Sequence, residues 1–309
     1  MKTIEFGTQK REISKLVLGL MRIFQMSAKE VEALVEGALE AGVNTFDLAD
    51  IYGGGKSEEL LGEVLKGRAD LRDKIFIQTK CGIRREGEMQ YYDNSAEHVK
   101  ASVEGCLKRL NTDHLDCMML HRPDALINAE ETARAFEDLK REGKVHDFGV
   151  SNHNRFQIER LQKYLSFPLA VNQMQLSCTF TPMLDAGFNV NTDSDKALMR
   201  DAAMVEYCNV NNMALQSWSS LQKCFFGGLF LGAEDCKELT ECIEKIAKEM
   251  GVSATAIAVA WILMLPGKMQ AVVGTTKPER VKEMAKATDI KLSRTNWYEI
   301  YYAAGNKLP

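Results

Sequence analysis

Apolar residues along this 309-residue chain gather into two alternating kinds of segment. Short β-rich runs fall at Leu16–Leu18, Thr45–Leu48, Ile75–Thr79, Leu115–Leu120, His146–Val150, Leu169–Gln173, Ala214–Ser217 and Ala271–Val273. None shows the clean period-2 alternation of a sheet with one solvated face, so each strand is expected to be covered on both sides. Between the runs, apolar positions recur at helical spacing: Val31, Leu34, Val35, Ala38 and Leu39 make one face, and Val99, Val103, Cys106, Leu107 and Leu110 another. Ser27-Ala-Lys-Glu30 spells a capping box, and Asn128-Ala-Glu-Glu131 and Asn154-Arg-Phe-Gln157 repeat that kind of start. Ala41-Gly42 supplies a helix stop just before the second strand. Eight strand–helix units in a chain of this length predict a closed (β/α)8 TIM barrel, with residues 1–309 as a single domain. The alternative is a doubly wound open sheet, but no G-x-G-x-x-G follows the first strand.

Both ends of the chain carry additions to that plan. Thr3–Phe6 and Arg11–Ile13 flank a Gly7-Thr-Gln turn, which predicts an N-terminal β-hairpin plugging one end of the barrel. Trp297, Tyr298, Tyr301 and Tyr302 stand at helical spacing, a C-terminal helix whose aromatics pack into the core or, alternatively, wall a substrate site. Two long connections, Cys81 to Asn94 and Ser219 to Cys236, are where a barrel builds binding surfaces.

Composition narrows the function. At 27% charged and 45% hydrophobic with six prolines, the chain is neither a disordered tail, a fibre nor a disulfide-stapled miniprotein. Its 39 Lys+Arg against 43 Asp+Glu leave a net charge of −4 with no long block of either sign, which speaks against nucleic acid and for small-molecule chemistry. Ala254–Leu265, the longest uncharged apolar stretch, falls well short of the roughly 20 residues that span a bilayer, so no membrane role is expected. The first residues show no secretory pattern, which points to the cytoplasm. Eight cysteines without a C-x-x-C pair, or alternation with histidine at zinc-ligand spacing, read as free thiols and no metal site.

Candidate chemistry starts with a false lead. Asp50-Ile-Tyr-Gly-Gly-Gly-Lys56-Ser57 ends like a P-loop, yet Asp50 stands where the motif requires its first glycine and would repel a triphosphate. The polar residues read better. Asp47 ends the second strand, Tyr52 follows it, Lys80 ends the third strand and His121 the fourth. Singly these would be an ion pair, a loop anchor and a core histidine. Together on one rim, an acid, a cation, a phenol and an imidazole suit proton transfer to a carbonyl oxygen.

These residues also carry a family resemblance. Asp47-Leu-Ala-Asp-Ile-Tyr52-Gly53 with Ser57–Gly62, Leu110–His121, and Gly143–Asn152 resemble three signature segments of the aldo-keto reductase superfamily, in its bacterial oxidoreductase branch. Val171-Asn172-Gln173, Ser217–Leu221 and Val273–Arg280 continue the match in order. The resemblance implies NADP(H) bound across the rim and reduction of a small-molecule aldehyde or ketone by a monomer or weak oligomer. Tyr52 would be the general acid, tuned by Lys80, whose ammonium would lower its pKa from about 10, with Asp47 keeping Lys80 charged and fixed, and a neutral His121 would orient the carbonyl. Ser151, Asn152 and Gln173 would hold the nicotinamide carboxamide, and Trp218 would stack on the ring where relatives usually have tyrosine. Ser219 and Leu221 would approach the pyrophosphate, with Ser220 replacing a common proline. Gly274, Thr275, Lys277 and Arg280 would surround the 2′-phosphate, Gly274 standing where many relatives carry lysine. A regulatory subunit that holds NADPH with little turnover is the other reading within the superfamily. A phosphate-binding barrel isomerase would have no use for Trp218 or the Ser151–Asn152 pair.

Overall fold

The computed structural model describes residues 1–189, 195, 203–223 and 227–306. In chain order the strands are β1 (Thr3–Phe6), β2 (Arg11–Ser14), β3 (Leu16–Gly19), β4 (Thr45–Asp47), β5 (Phe76–Cys81), β6 (Ile83–Glu86), β7 (Met89–Tyr92), β8 (Leu115–Leu120), β9 (Val145–Ser151), β10 (Val171–Gln175), β11 (Ala214–Trp218) and β12 (Met269–Val273). Eight of them, β3, β4, β5, β8, β9, β10, β11 and β12, close into a barrel of parallel strands. The eight expected strands are these eight. Every residue of β5 and of β8 is buried, as strands sheathed by helices outside and packed side chains inside must be.

The helices begin where the capping residues placed them. Ser27 and Glu30 complete a reciprocal box at Ala28–Glu40, Asn154 and Gln157 do so at Arg155–Gln162, and Asn128 accepts from the Glu131 N–H at Ala129–Arg141. Ala254–Leu263 is a core helix, buried from Ala256 to Ile262. Among the described residues no single helix is long and apolar enough to cross a membrane. In the last helix, Arg294–Ala303, core packing claims Trp297 and Tyr301. Trp297 stacks on Trp261 at 4.8 Å, each indole N–H donating to the other's backbone carbonyl, while the Tyr301 hydroxyl donates to Asp185. Tyr302 remains half exposed.

β1 and β2 form the expected hairpin, pairing Ile4 with Ile13 and Phe6 with Arg11. Ile4, Phe6 and Ile13 join Phe76, Ala170, Val171 and Ala214, residues at the starts of barrel strands, in one apolar cluster. The hairpin therefore closes the N-terminal end, and Phe6 meets Phe76 edge-on at 5.1 Å. Gly7 turns it at φ +67°, where an added Cβ would strike Asp147 Oδ2 at 1.8 Å, the carboxylate that also receives the Thr8 N–H. Phe6→Ala is expected to cost about 3–5 kcal/mol in denaturant unfolding through the cavity it leaves, with turnover per folded molecule unchanged. One element was not foreseen: the connection Cys81 to Asn94 folds into its own antiparallel hairpin, β6 with β7. The other long connection includes residues 224–226, outside the described residues.

Candidate active site

Parallel strands all deliver their C-terminal ends to one rim, and the four singled-out residues meet there. Asp47 is the last residue of β4, Lys80 lies one residue before the end of β5, and His121 directly follows β8. Tyr52 opens the turn Tyr52–Gly55, in which Gly53, Gly54 and Gly55 all take positive φ. Gly53 also passes under Phe24, whose Cβ would lie 2.6 Å from an added methyl, so both conformation and space demand glycine. The Gly-Lys-Ser that follows is structural: the Ser57 hydroxyl is buried and donates to the Met21 carbonyl, and Lys56 pairs with Glu59.

Lys80 is fully buried and uses its three protons at once. Nζ lies 2.8 and 2.7 Å from the two Asp47 oxygens, donates to the Leu48 carbonyl at 2.7 Å and reaches the Tyr52 hydroxyl at 3.3 Å. Burial alone would lower its pKa, but contact with Asp47 and Tyr52 reverses the sign, and Lys80 is held charged above its usual range. The Tyr52 ring stands edge-on to His121 at 6.0 Å. Burial, then Lys80 and Arg122, push His121 well below the ordinary histidine range, so the imidazole is neutral at physiological pH.

Tyr52 corrects the sequence reading. Burial raises its pKa, and the opposing pull of Lys80 only partly offsets this. The phenol thus stays protonated at neutral pH, which is the form a proton donor to a carbonyl needs.

The residues expected around a dinucleotide lie on the same rim. Asn152, at φ +59°, donates to Ser151 Oγ at 2.9 Å and accepts the Trp218 indole N–H at 3.0 Å, so three residues from two distant segments form one unit. Ser151 Oγ donates to the Gln173 carbonyl, while Gln173 gives its own amide N–H groups to Asp47 and Gln216. Arg122 sits 5.6 Å from the Trp218 ring, and Asp124 accepts backbone N–H groups of Asn94 and Leu126. Ser219 takes φ +54° and bonds to Gln222. Ser220, in place of the usual proline, is buried with its hydroxyl donating to Val272, which ties this loop to β12. Leu221 packs partly buried on the core. Gly274 follows β12 in the open, its Cβ position meeting only the Gly19 carbonyl at 4.0 Å. Thr275 accepts the Lys277 N–H, and Lys277 and Arg280 stand exposed at the start of the helix Pro278–Ala285.

Cys81, next to Lys80 in the chain, is buried and its thiol is pushed well above the ordinary value, so it is not a reactive thiolate. Seven cysteines are free thiols, and Cys224 lies outside the described residues. His114 and His146, which showed no ligand spacing along the chain, come together with Asp116 at the opposite end of the barrel. Asp116 is already paired there with Arg11 and Arg72, so the cluster confronts a cation with two guanidinium groups. Sequence reasoning missed Gln78 and Gln216, which join Gln173 beneath Asp47; as polar residues inside strands they carried no signal of their own.

The model of the aldo/keto reductase family matches residues 15–303. The chain is 38% identical to a 6-dehydroglucose reductase of Agrobacterium fabrum, covering 97% of each chain, and 35% identical to the oxidoreductase YdhF of Escherichia coli, covering 98% of each. Among solved structures it resembles the thermostable aldo-keto reductase Tm1743 in complex with the inhibitor epalrestat, with a TM-score of 0.76 at 28% identity over 98% of this chain and 100% of that one. An aldo-keto reductase from Klebsiella pneumoniae in complex with NADPH shares the fold, with a TM-score of 0.74 at 22% identity over 97% of this chain and 93% of that one. This chain belongs to the aldo/keto reductase family.

Proposed function

We propose that this protein reduces an aldehyde or ketone to an alcohol with NADPH, Tyr52 acting as general acid. The observation that carries this reading is the contact of one buried ammonium, Lys80, with both Asp47 and the Tyr52 hydroxyl, facing a neutral imidazole. NADPH, when bound, supplies the hydride. The protein's residues supply the rest. His121 donates a hydrogen bond that orients and polarises the carbonyl oxygen. Tyr52 gives its proton to that oxygen as it becomes an alkoxide, and Lys80, fixed by Asp47, steadies the phenolate left behind. Two relatives bearing the name 6-dehydroglucose reductase make sugar aldehydes the first carbonyl class to try. We place the activity in one domain, residues 1–309, acting in the cytoplasm on a diffusing small molecule as a monomer or weak oligomer, with no metal, nucleic acid or membrane.

The residues fit the nucleotide. Trp218, Asn152 and Ser151 form a preassembled polar and aromatic wall, Gly274 leaves its surroundings open to backbone approach, and no ion pair among the described residues ties down Lys277 or Arg280. The 2′-phosphate carries about two negative charges, so a bidentate guanidinium at Arg280 would favour NADPH over NADH. Arg280→Ala is expected to raise the NADPH dissociation constant about 10–100-fold, the worth of one hydrogen-bonded charge pair, and to leave NADH within about two-fold. Tryptophan fluorescence titration measures both; equal affinity for the two cofactors in the wild type would refute this assignment. The function as a whole is tested by NADPH consumption over a panel of aldehydes and ketones, sugar aldehydes included. No consumption with any of them, with NADPH tightly bound, would favour the regulatory reading.

A further inference from the structure

Beneath the rim, the barrel interior holds amides where aliphatic side chains would suffice. Gln78, Gln173, Gln216 and Gln270 come from β5, β10, β11 and β12 and are all buried. Strand register sets Asp47 beside Gln78, Gln173 beside Gln216, and Gln216 beside Gln270, and barrel closure brings Gln78 and Gln216 together across the lumen.

Each contact has one possible direction. Gln78 and Gln173 donate to Asp47 Oδ1 at 2.7 and 3.0 Å and give their second N–H to Gln216 Oε1 at 2.8 and 3.0 Å. Gln216 Nε2 donates to Gln78 at 2.8 Å and to Gln270 at 2.9 Å, and Gln270 passes its N–H to the Ser14 carbonyl at 2.8 Å. The carboxylate at one end and the backbone carbonyl at the other only accept, so turning over any amide would set two acceptors or two donors face to face. Gln216 uses both its protons and both its lone pairs. An aliphatic layer of equal volume would run no risk of unmet hydrogen bonds, so packing alone does not call for this arrangement.

We propose that Gln216 is a positioning residue: as hub of this network it fixes Asp47, and through Asp47 the Lys80 ammonium, at the Tyr52 hydroxyl, and it joins that pair to Gln173. The inference rests on the catalytic reading of Tyr52 given above. The Lys80–Tyr52 contact, at 3.3 Å, is the longest of the ammonium's contacts and the first to be lost if Asp47 turns.

Gln216→Met keeps the volume and removes all four hydrogen bonds. The expected result is a kcat for carbonyl reduction lower by about ten-fold, with KM and NADPH affinity within about three-fold, since misplacing a reacting group costs rate before binding. Tyr52 faces Lys80, Asp47, His121 and Arg122, and only the first two depend on the amides. Loosening Lys80 should therefore move the Tyr52 titration to higher pH. That titration is read without substrate or cofactor, as the ultraviolet tyrosinate difference between proteins with and without Tyr52→Phe, so it stands even if no carbonyl substrate is found. An unchanged titration with only a lower Tm would overturn the proposal. If Gln216→Met does not fold, Gln270→Met removes just the outer link; a smaller shift in the same direction supports the proposal, and none overturns it.

Discussion

Replacing Tyr52 by phenylalanine is expected to cut carbonyl reduction by about 10²–10⁴-fold, the usual contribution of a positioned proton donor. NADPH affinity should stay within about two-fold, because the hydroxyl contacts Lys80 and, in the proposed mechanism, would meet the developing alkoxide rather than the nucleotide. The pH profile follows from the signs. His121 is neutral across the physiological range and adds no limb there. As the proposed general acid, Tyr52 would have to be protonated, and its pKa lies above the ordinary phenol value, so reduction should hold steady through neutral pH and fall only as pH rises through that raised value. Stopped-flow or steady-state rates over pH, wild type against Tyr52→Phe, check both points. Near-normal turnover in the variant would remove Tyr52 from the mechanism.

Lys80→Met should do comparable damage by a different route. Without the ammonium, the Tyr52 pKa rises further and the phenol becomes a weaker acid, with an expected loss of about 10²-fold or more in kcat. The variant should also lose about 3–5 kcal/mol of stability, because Asp47 is left as a buried carboxylate without its cation. These two losses can be separated. Asp47→Asn combined with Lys80→Met removes the stranded charge and should regain most of the Tm without regaining turnover. Recovery of both together would make Lys80 a structural residue.

What the sequence revealed and what it withheld divide along physical lines. The eight barrel strands, the plugging hairpin and the caps at Ser27, Asn128 and Asn154 depend on local pattern and nearby hydrogen bonds, and they stand where the chain places them. The meeting of Asp47, Tyr52, Lys80 and His121 was also legible, because parallel strands must bring their C-terminal ends to one rim. Contacts across the barrel were not. Gln78 and Gln216 are 138 positions apart and meet only through closure and register, while His114, just before β8, meets His146 of β9 only through the pairing of those two strands. The direction of the Tyr52 shift was hidden for a related reason: the sequence shows the neighbouring cation, but only the fold shows how deeply the phenol is desolvated.

The central claim, that this barrel transfers hydride to a carbonyl carbon rather than merely holding a nucleotide, is tested most directly by isotope transfer. NADPH carrying deuterium at the reactive position of its nicotinamide is incubated with the wild-type enzyme and a reducible aldehyde, and the product alcohol is weighed by mass spectrometry. The account predicts one deuterium on the carbinol carbon with the wild type and almost none with Tyr52→Phe. Alcohol formed without the label, or label transferred equally by both proteins, would contradict it.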